Sequence, residues 1–137
     1  MSDIQNLVHL LQQGDFRTIA KCITMVENDL PDANELLLSL SNYNNAQVIG
    51  ITGPPGAGKS TLVNALLKSY MDEDKKVAVL SVDPSSPFNY GALLGDRIRM
   101  SEFYLNPNVY IRSLASRGSL GGLSTKIIEI LDVLKSC

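Results

Sequence analysis

No apolar run in this chain approaches the ~20 residues needed to span a bilayer, so no membrane segment is expected. The opening residues, Met1-Ser2-Asp3-Ile4-Gln5-Asn6, have no basic region followed by an apolar stretch, and no secretory signal is expected from them. Cysteine occurs only at Cys22 and Cys137, too few and too far apart for a disulfide framework. Histidine occurs once, at His9, so a zinc site would lack its cluster of Cys and His ligands. A surface or core-edge place suits His9 better than a catalytic one. The formal net charge of -2 gives no support to non-specific nucleic-acid binding, which needs a basic surface. No internal repeat or low-complexity tract is present. Together these absences point to reduced thiols in a cytoplasmic setting. Cys22, set among Ile19, Ile23 and Val26, reads as a small core residue, whereas Cys137, the last residue, is expected to fray.

What is present fits a globular protein. The 137 residues suit one domain with a small helical appendage, and 45% of them are hydrophobic, enough for a real core. Ile4, Leu7, Val8, Leu10 and Leu11 recur at helical spacing, with Gly14 as a stop. Asp15 can cap a second helix through Phe16, Ile19, Ala20, Ile23 and Val26. Pro31 can open a third, carrying Leu36, Leu37, Leu38 and Leu40. Asn42-Tyr43-Asn44-Asn45 then reads as a linker.

Beyond the linker the pattern alternates. Val48-Ile49-Gly50-Ile51 reads as a short strand, Leu62 to Tyr70 as a helix, and Val77 to Val82 as a strand of the kind buried in a parallel sheet. Arg97 to Tyr104 reads as a short helix, Asn106-Pro107-Asn108 as a turn, and Val109-Tyr110-Ile111 as a third strand. Ser124 can cap a last helix whose inner face is Ile127, Ile128, Ile130, Leu131 and Leu134. This alternation predicts an α/β fold: a parallel sheet with flanking helices, preceded by a helical segment. The expected division is residues 1–45 for the helical segment and 46–137 for the sheet-bearing part.

Gly53-Pro54-Pro55-Gly56-Ala57-Gly58-Lys59-Ser60 fits G-x-x-x-x-G-K-[ST] at every position, between an expected strand and a helix. Glycines let the backbone turn so that successive N–H groups converge on phosphate oxygens. The helix that follows aims its positive end at the same place. Lys59 can then reach the β- and γ-phosphates, Ser60 Oγ can ligate Mg²⁺, and Thr61 can contact the α-phosphate. Pro54 and Pro55 donate no N–H and stiffen the loop. The motif specifies a nucleotide, not which one.

Asp83 is expected at the carboxyl end of the second strand, the edge where open α/β sheets bind ligands. Its carboxylate could hold a Mg²⁺-bound water or orient an attacking water. A turn-initiating Asp before Pro84 is an equal reading. Asp96 by local rules is a helix cap. Arg97 and Arg99 suit a solvated helix face better than phosphate contact. Ser116-Arg117-Gly118-Ser119 reads either as a glycine-rich connection or as a nucleotide-facing loop.

Four stretches taken together resemble the MeaB/ArgK-type GTPases, the group that contains the metallochaperones of methylmalonyl-CoA mutase. They are Gly50 to Thr61, Val82-Asp83-Pro84-Ser85-Ser86-Pro87-Phe88, Gly91 to Met100, and Arg112 to Leu123. The last three are the specific ones, and their order and spacing agree with the group. The resemblance implies a P-loop GTPase fold that binds GTP and GDP with Mg²⁺ and hydrolyses GTP slowly under partner stimulation. It further implies a role in loading or protecting adenosylcobalamin on an acyl-CoA mutase, and leaves a homodimer open. Older names in the group refer to ATPases or kinases of lysine, arginine and ornithine transport, which keeps a small-molecule kinase or transport ATPase as an alternative. By motif position Lys59 and Ser60 carry over as phosphate and Mg²⁺ contacts, and Asp83 and Asp96 as acids of the metal and switch region. For Asp96 the resemblance displaces the cap reading.

Two departures accompany the resemblance. Asn89-Tyr90 stands where the group commonly has a small Thr-Gly pair. The acid of the second switch, the guanine-reading N-K-x-D segment and the dimerisation helices are not found in the 137 residues. The expectation is therefore the N-terminal portion of such a protein, binding nucleotide but hydrolysing it negligibly alone. Mg²⁺-dependent turnover by the purified chain would overturn that expectation.

Overall fold

The computed structural model describes residues 2–40, 45–54, 56–83, 101–115 and 126–137. The chain divides into two compact units, residues 1–48 with 125–137, and residues 49–124.

The first unit is helical. Helix α1 spans Asp3–Gln12, α2 Phe16–Glu27, α3 Ala33–Ser39 and α5 Ile127–Lys135. Each start has a local cause. Ser2 and Gln5 form a reciprocal capping box on α1. Asp15 caps α2, its Oδ2 accepting from Thr18 N at 2.8 Å and from Thr18 Oγ1 at 2.6 Å. The helix ends are equally local. At the end of α2, Leu30 N donates to Met25 O at 3.0 Å and Asp29 N to Val26 O at 3.3 Å, a Schellman closure. The same paired closure ends α1 at Gly14, as expected from sequence.

The core of this unit is Ile4 and Leu11 from α1, Ile19, Cys22, Ile23 and Val26 from α2, Leu36 from α3, and Ile130 and Val133 from α5. Burial pushes the Cys22 thiol up to about 11, so it stays neutral and packs as an apolar group. Lys126 Nζ meets Asp29 Oδ1 at 2.7 Å, tying the start of α5 to the end of α2. In the packing, α5 therefore joins the N-terminal helices, whereas sequence order grouped it with the loop-bearing part.

Several local expectations are corrected. Helix α3 starts at Ala33 behind Asp32, two residues after Pro31. Leu38 of α3 is 87% exposed, and Ile128, expected on the inner face of α5, is 69% exposed. On α5 the buried pair is Ile130 and Val133. Lys126, without a side-chain cap bond, precedes α5; Ser124 lies outside the described residues. Cys137 does not fray: its Sγ donates to Val133 O at 3.4 Å.

The hydrogen bonds from Thr18 hold the Asp15 carboxyl below its usual 3.8. A carboxylate with a depressed folded value stabilises the fold above its unfolded value, and that contribution is lost as pH falls through the folded value. Asp15→Ala is therefore expected to lower the thermal midpoint of this unit at pH 7. The gap between variant and parent should close in acid, below the folded Asp15 value. A gap independent of pH would refute the charged-cap account.

The second unit holds the helix α4, Lys59–Asp72, and two strands, β1 Val77–Asp83 and β2 Val109–Ala115. The strands pair in parallel, in register from Val77 with Val109 to Asp83 with Ala115. A third Schellman closure, through Lys75 N to Tyr70 O at 3.1 Å, turns the chain from α4 directly into β1. Leu67 of α4, Phe103 and Val109 form the buried core, with Val63, Met71, Val77, Val79 and Ile111 packed against it. Residues alternate along a strand, so Val77 and Val79 share the face that α4 covers, while Ala78 is exposed.

The expected strand at Val48 to Ile51 is not formed. Residues 45–52 carry no regular structure and make no hydrogen bond with the described residues. Val48 is 51% exposed and Ile49 47% exposed. Of the helix expected over Arg97 to Tyr104, the described part is one 3₁₀ turn, Ser101–Phe103, and Arg97 and Arg99 lie outside the described residues. The parallel α/β fold class itself stands, with five helices and two strands among the described residues. No helix among them is long and apolar enough to cross a membrane.

Candidate phosphate-binding site

The site is built where an irregular segment turns into α4. Ala57 N donates to Pro54 O at 3.2 Å, closing a turn across the loop. Gly56 has φ 80° and Gly58 φ 94°. A side chain at either position would meet nothing within 4 Å, so the backbone conformation and not crowding demands glycine there. Gly58 is also the N-cap of α4, and no side chain caps that first turn. A helix start leaves amide donors without intrahelical partners. Together with the helix dipole they form a seat for an anion.

Lys59 opens α4 and folds back over the loop. Its Nζ donates to Gly53 O at 2.5 Å in a part-buried setting. A methyl placed on Gly53 would stand 3.7 Å from Ala57 Cβ and 3.8 Å from Lys59 Cδ, ordinary contact distances. The loop is thus closed on itself, with the lysine ammonium held by the loop's first carbonyl. Ser60 is half-buried and Thr61 exposed, both in the first turn of α4. Residues 53–54 and 56–61 thus lead from the loop into the first turn of α4, with the lysine ammonium folded back onto Gly53 O.

The other residues expected in the site are placed less fully. Asp83 is the last residue of β1. Helix α4 has 14 residues, about 21 Å at 1.5 Å each. Strand β1 has seven, about 23 Å at 3.3 Å each. The tight turn between them reverses the chain, so the start of α4 and the end of β1 lie toward one edge of the sheet. Pro55, Asp96 and Ser116 to Ser119 lie outside the described residues. His9 is exposed on α1, in the helical unit, with its Nε2 3.0 Å from Gln13 Nε2. No group of three or more His, Cys, Asp or Glu able to hold a metal occurs among the described residues.

Sequence reasoning missed two residues. Phe103 anchors the core beneath α4, and it was read only as part of a short helix. Asn64 on α4 has a buried Oδ1 with no hydrogen-bond partner among the described residues. An unpaired buried acceptor of this kind costs about 1–3 kcal/mol.

The conformational account makes a direct prediction. Gly58→Val should weaken nucleotide binding and lower the thermal midpoint more than Gly58→Asn, because Asn tolerates a left-handed backbone and a β-branched residue does not. Equal losses in titration calorimetry and thermal melts would show that the positive φ is not what the loop needs.

Residues 19–137 match the family described as methylmalonyl-CoA mutase-associated GTPase MeaB. A protein of Pyrococcus horikoshii named as a GTPase is 50% identical over 135 residues, covering 98% of this chain and 43% of its own length. GTPase ArgK of Escherichia coli is 39% identical over 129 residues, covering 90% of this chain and 39% of its own length. The fused isobutyryl-CoA mutase of Geobacillus kaustophilus is 40% identical over 137 residues, covering 92% of this chain and 12% of its own length. The chain thus spans about two fifths of the GTPase-named relatives.

Proposed function

This chain belongs to the MeaB family, and from that premise we propose that it binds guanine nucleotide and Mg²⁺ as the phosphate-holding part of a GTPase serving an acyl-CoA mutase. The observation that carries the reading is the loop at 53–61, where left-handed glycines, an uncapped helix start and one lysine converge. Arriving phosphate oxygens would compete with Gly53 O for the Lys59 ammonium, and a charge-assisted bond is the stronger. The first-turn amides of α4 hold the remaining oxygens. Mg²⁺ is commonly bound by one or two protein oxygens plus substrate phosphates, so a single hydroxyl at Ser60 fits it better than a carboxylate cage would. When bound, the ion would neutralise charge on the phosphates. Asp83, at the end of β1, is the proposed acid on that edge, and Asp96 is proposed with it on family position. Phosphoryl transfer asks a protein mainly for positioning and electrostatic stabilisation, which these residues can supply.

The mutase partner rests on the fused relative: a segment like this one sits within a polypeptide named for isobutyryl-CoA mutase. Delivery or protection of adenosylcobalamin is the proposed service. Guanine selectivity rests on the family. Thermal melts with GTP, GDP, ATP and ADP, each with Mg²⁺, test the reading. A shift with guanine nucleotides alone is expected. Equal shifts with ATP would remove guanine selectivity, and no shift with any would remove nucleotide binding.

A further inference from the structure

We propose that Asn64 is a positioning residue for Ser60: its Oδ1 accepts the Ser60 hydroxyl proton and so turns the serine oxygen toward Mg²⁺. The proposal deepens the reading of the loop as a nucleotide and Mg²⁺ site and rests on it. It begins from a side chain that the packing of α4 does not explain. Val63, Leu67 and Met71 recur along α4 and face the core of the second unit. Asn64 stands at the flank of that stripe, where an apolar residue would pack, and its Oδ1 is buried with no hydrogen-bond partner among the described residues. Asparagine is also a weaker helix former than leucine or alanine. Buried polar atoms are nearly always paired, so this acceptor needs a donor.

The helix limits where that donor lies. Ser60 and Asn64 are four apart on α4 and so share a face. Helical side chains lean toward the N-terminus, so position 64 overlies the turn that holds Ser60. A serine hydroxyl has one proton and two lone pairs. When a lone pair serves a cation, the proton turns away and needs an acceptor. Asn64 offers one that is already out of water and loses no hydration on pairing. The competing donor is Ser81, on the same face of β1 as Val77 and Val79, which pack with α4. Counted from the turn between them, Asn64 is about 12 Å along α4 and Ser81 about 13 Å along β1, so the two are level. A bond to Ser81 would be structural and indifferent to Mg²⁺.

The test is titration calorimetry of GDP into the purified chain, with Mg²⁺ and with EDTA, beside thermal melts. GDP keeps hydrolysis out of the readout. Asn64→Leu, which keeps the bulk and removes the acceptor, should cut the gain in affinity that Mg²⁺ gives by about tenfold, the size typical of a group that hydrogen-bonds a metal ligand. Its affinity in EDTA should match the parent's. Its melting midpoint should not fall, because an unpaired buried acceptor has been removed. Asn64→Ala should show the same split between the two buffers, and Asn64→Asp, which keeps an acceptor, should retain the Mg²⁺ gain. In a Ser60→Ala background Asn64→Leu should change nothing further, because the hydroxyl it serves is gone. Three results would overturn the proposal and leave the nucleotide reading standing. A Mg²⁺ gain in Asn64→Leu equal to the parent's would remove Asn64 from the ion's surroundings. Equal losses with Mg²⁺ and with EDTA, together with a lower midpoint, would make it a packing residue of the kind a bond to Ser81 implies. An effect undiminished in the Ser60→Ala background would show that it does not act through Ser60. No binding of GDP by the parent chain in either buffer would fail the nucleotide reading itself, and this proposal with it.

Discussion

Lys59→Ala is expected to weaken binding of Mg²⁺-bound GTP by on the order of 100-fold and to lower the melting midpoint of the free chain without unfolding it. The two halves have different causes. Among the described residues the ammonium makes one hydrogen bond, to Gly53 O, and a single such bond contributes only about 0.5–3 kcal/mol net. With phosphate present the same group makes charge-assisted bonds to more than one oxygen, at about 1.5–3 kcal/mol each. Losing about 3 kcal/mol corresponds to roughly two decades of affinity. Arginine should not restore it, because its wide planar fork replaces a compact charge at the end of a closed loop. Titration calorimetry reads the affinity, and a melt read alongside shows whether the fold survives. Unchanged affinity would remove Lys59 from the site. A collapse of the midpoint would make its role structural.

The phosphate loop was legible because its requirements are local. A left-handed turn at Gly58, a helix start and a lysine beside it are all settled within a few residues, and the spacing encodes them. The capped start of α2 was legible for the same reason. Val48 to Ile51 was misread because composition announces a strand but only a partner makes one. The exposed place of Leu38 was not legible because α3 has seven residues, too few for periodicity to fix a face. The place of α5 was hidden by distance along the chain: Lys126 meets Asp29 across 97 positions, and neither residue signals the other. Asp83 could be placed at a strand end from the apolar run before it, but its chemical role has no local signature.

Phe103→Ala is the complementary expectation, a loss of stability where Lys59→Ala is a loss of affinity. Phe103 is 1% exposed and joins Leu67 of α4 to Val109 of β2, so it ties the loop-bearing helix to the sheet. Truncating a buried phenylalanine typically costs about 3–5 kcal/mol, from lost transfer energy and the cavity left behind. That is a large share of a typical domain stability of about 5–15 kcal/mol. Urea unfolding of the second unit should show the drop, and Phe103→Leu, which keeps most of the volume, should recover much of it. The ligand then separates the two variants. A nucleotide at 100 times its Kd adds about 2.7 kcal/mol to whatever binds it in the folded state. Phe103→Ala keeps the loop's chemistry, so saturating Mg²⁺-bound GTP should rescue much of its stability, whereas the same concentration should add only about 0.4 kcal/mol to Lys59→Ala, for which it merely equals the weakened Kd. A cost below about 1 kcal/mol for Phe103→Ala would mean that α4 is held by something other than this core.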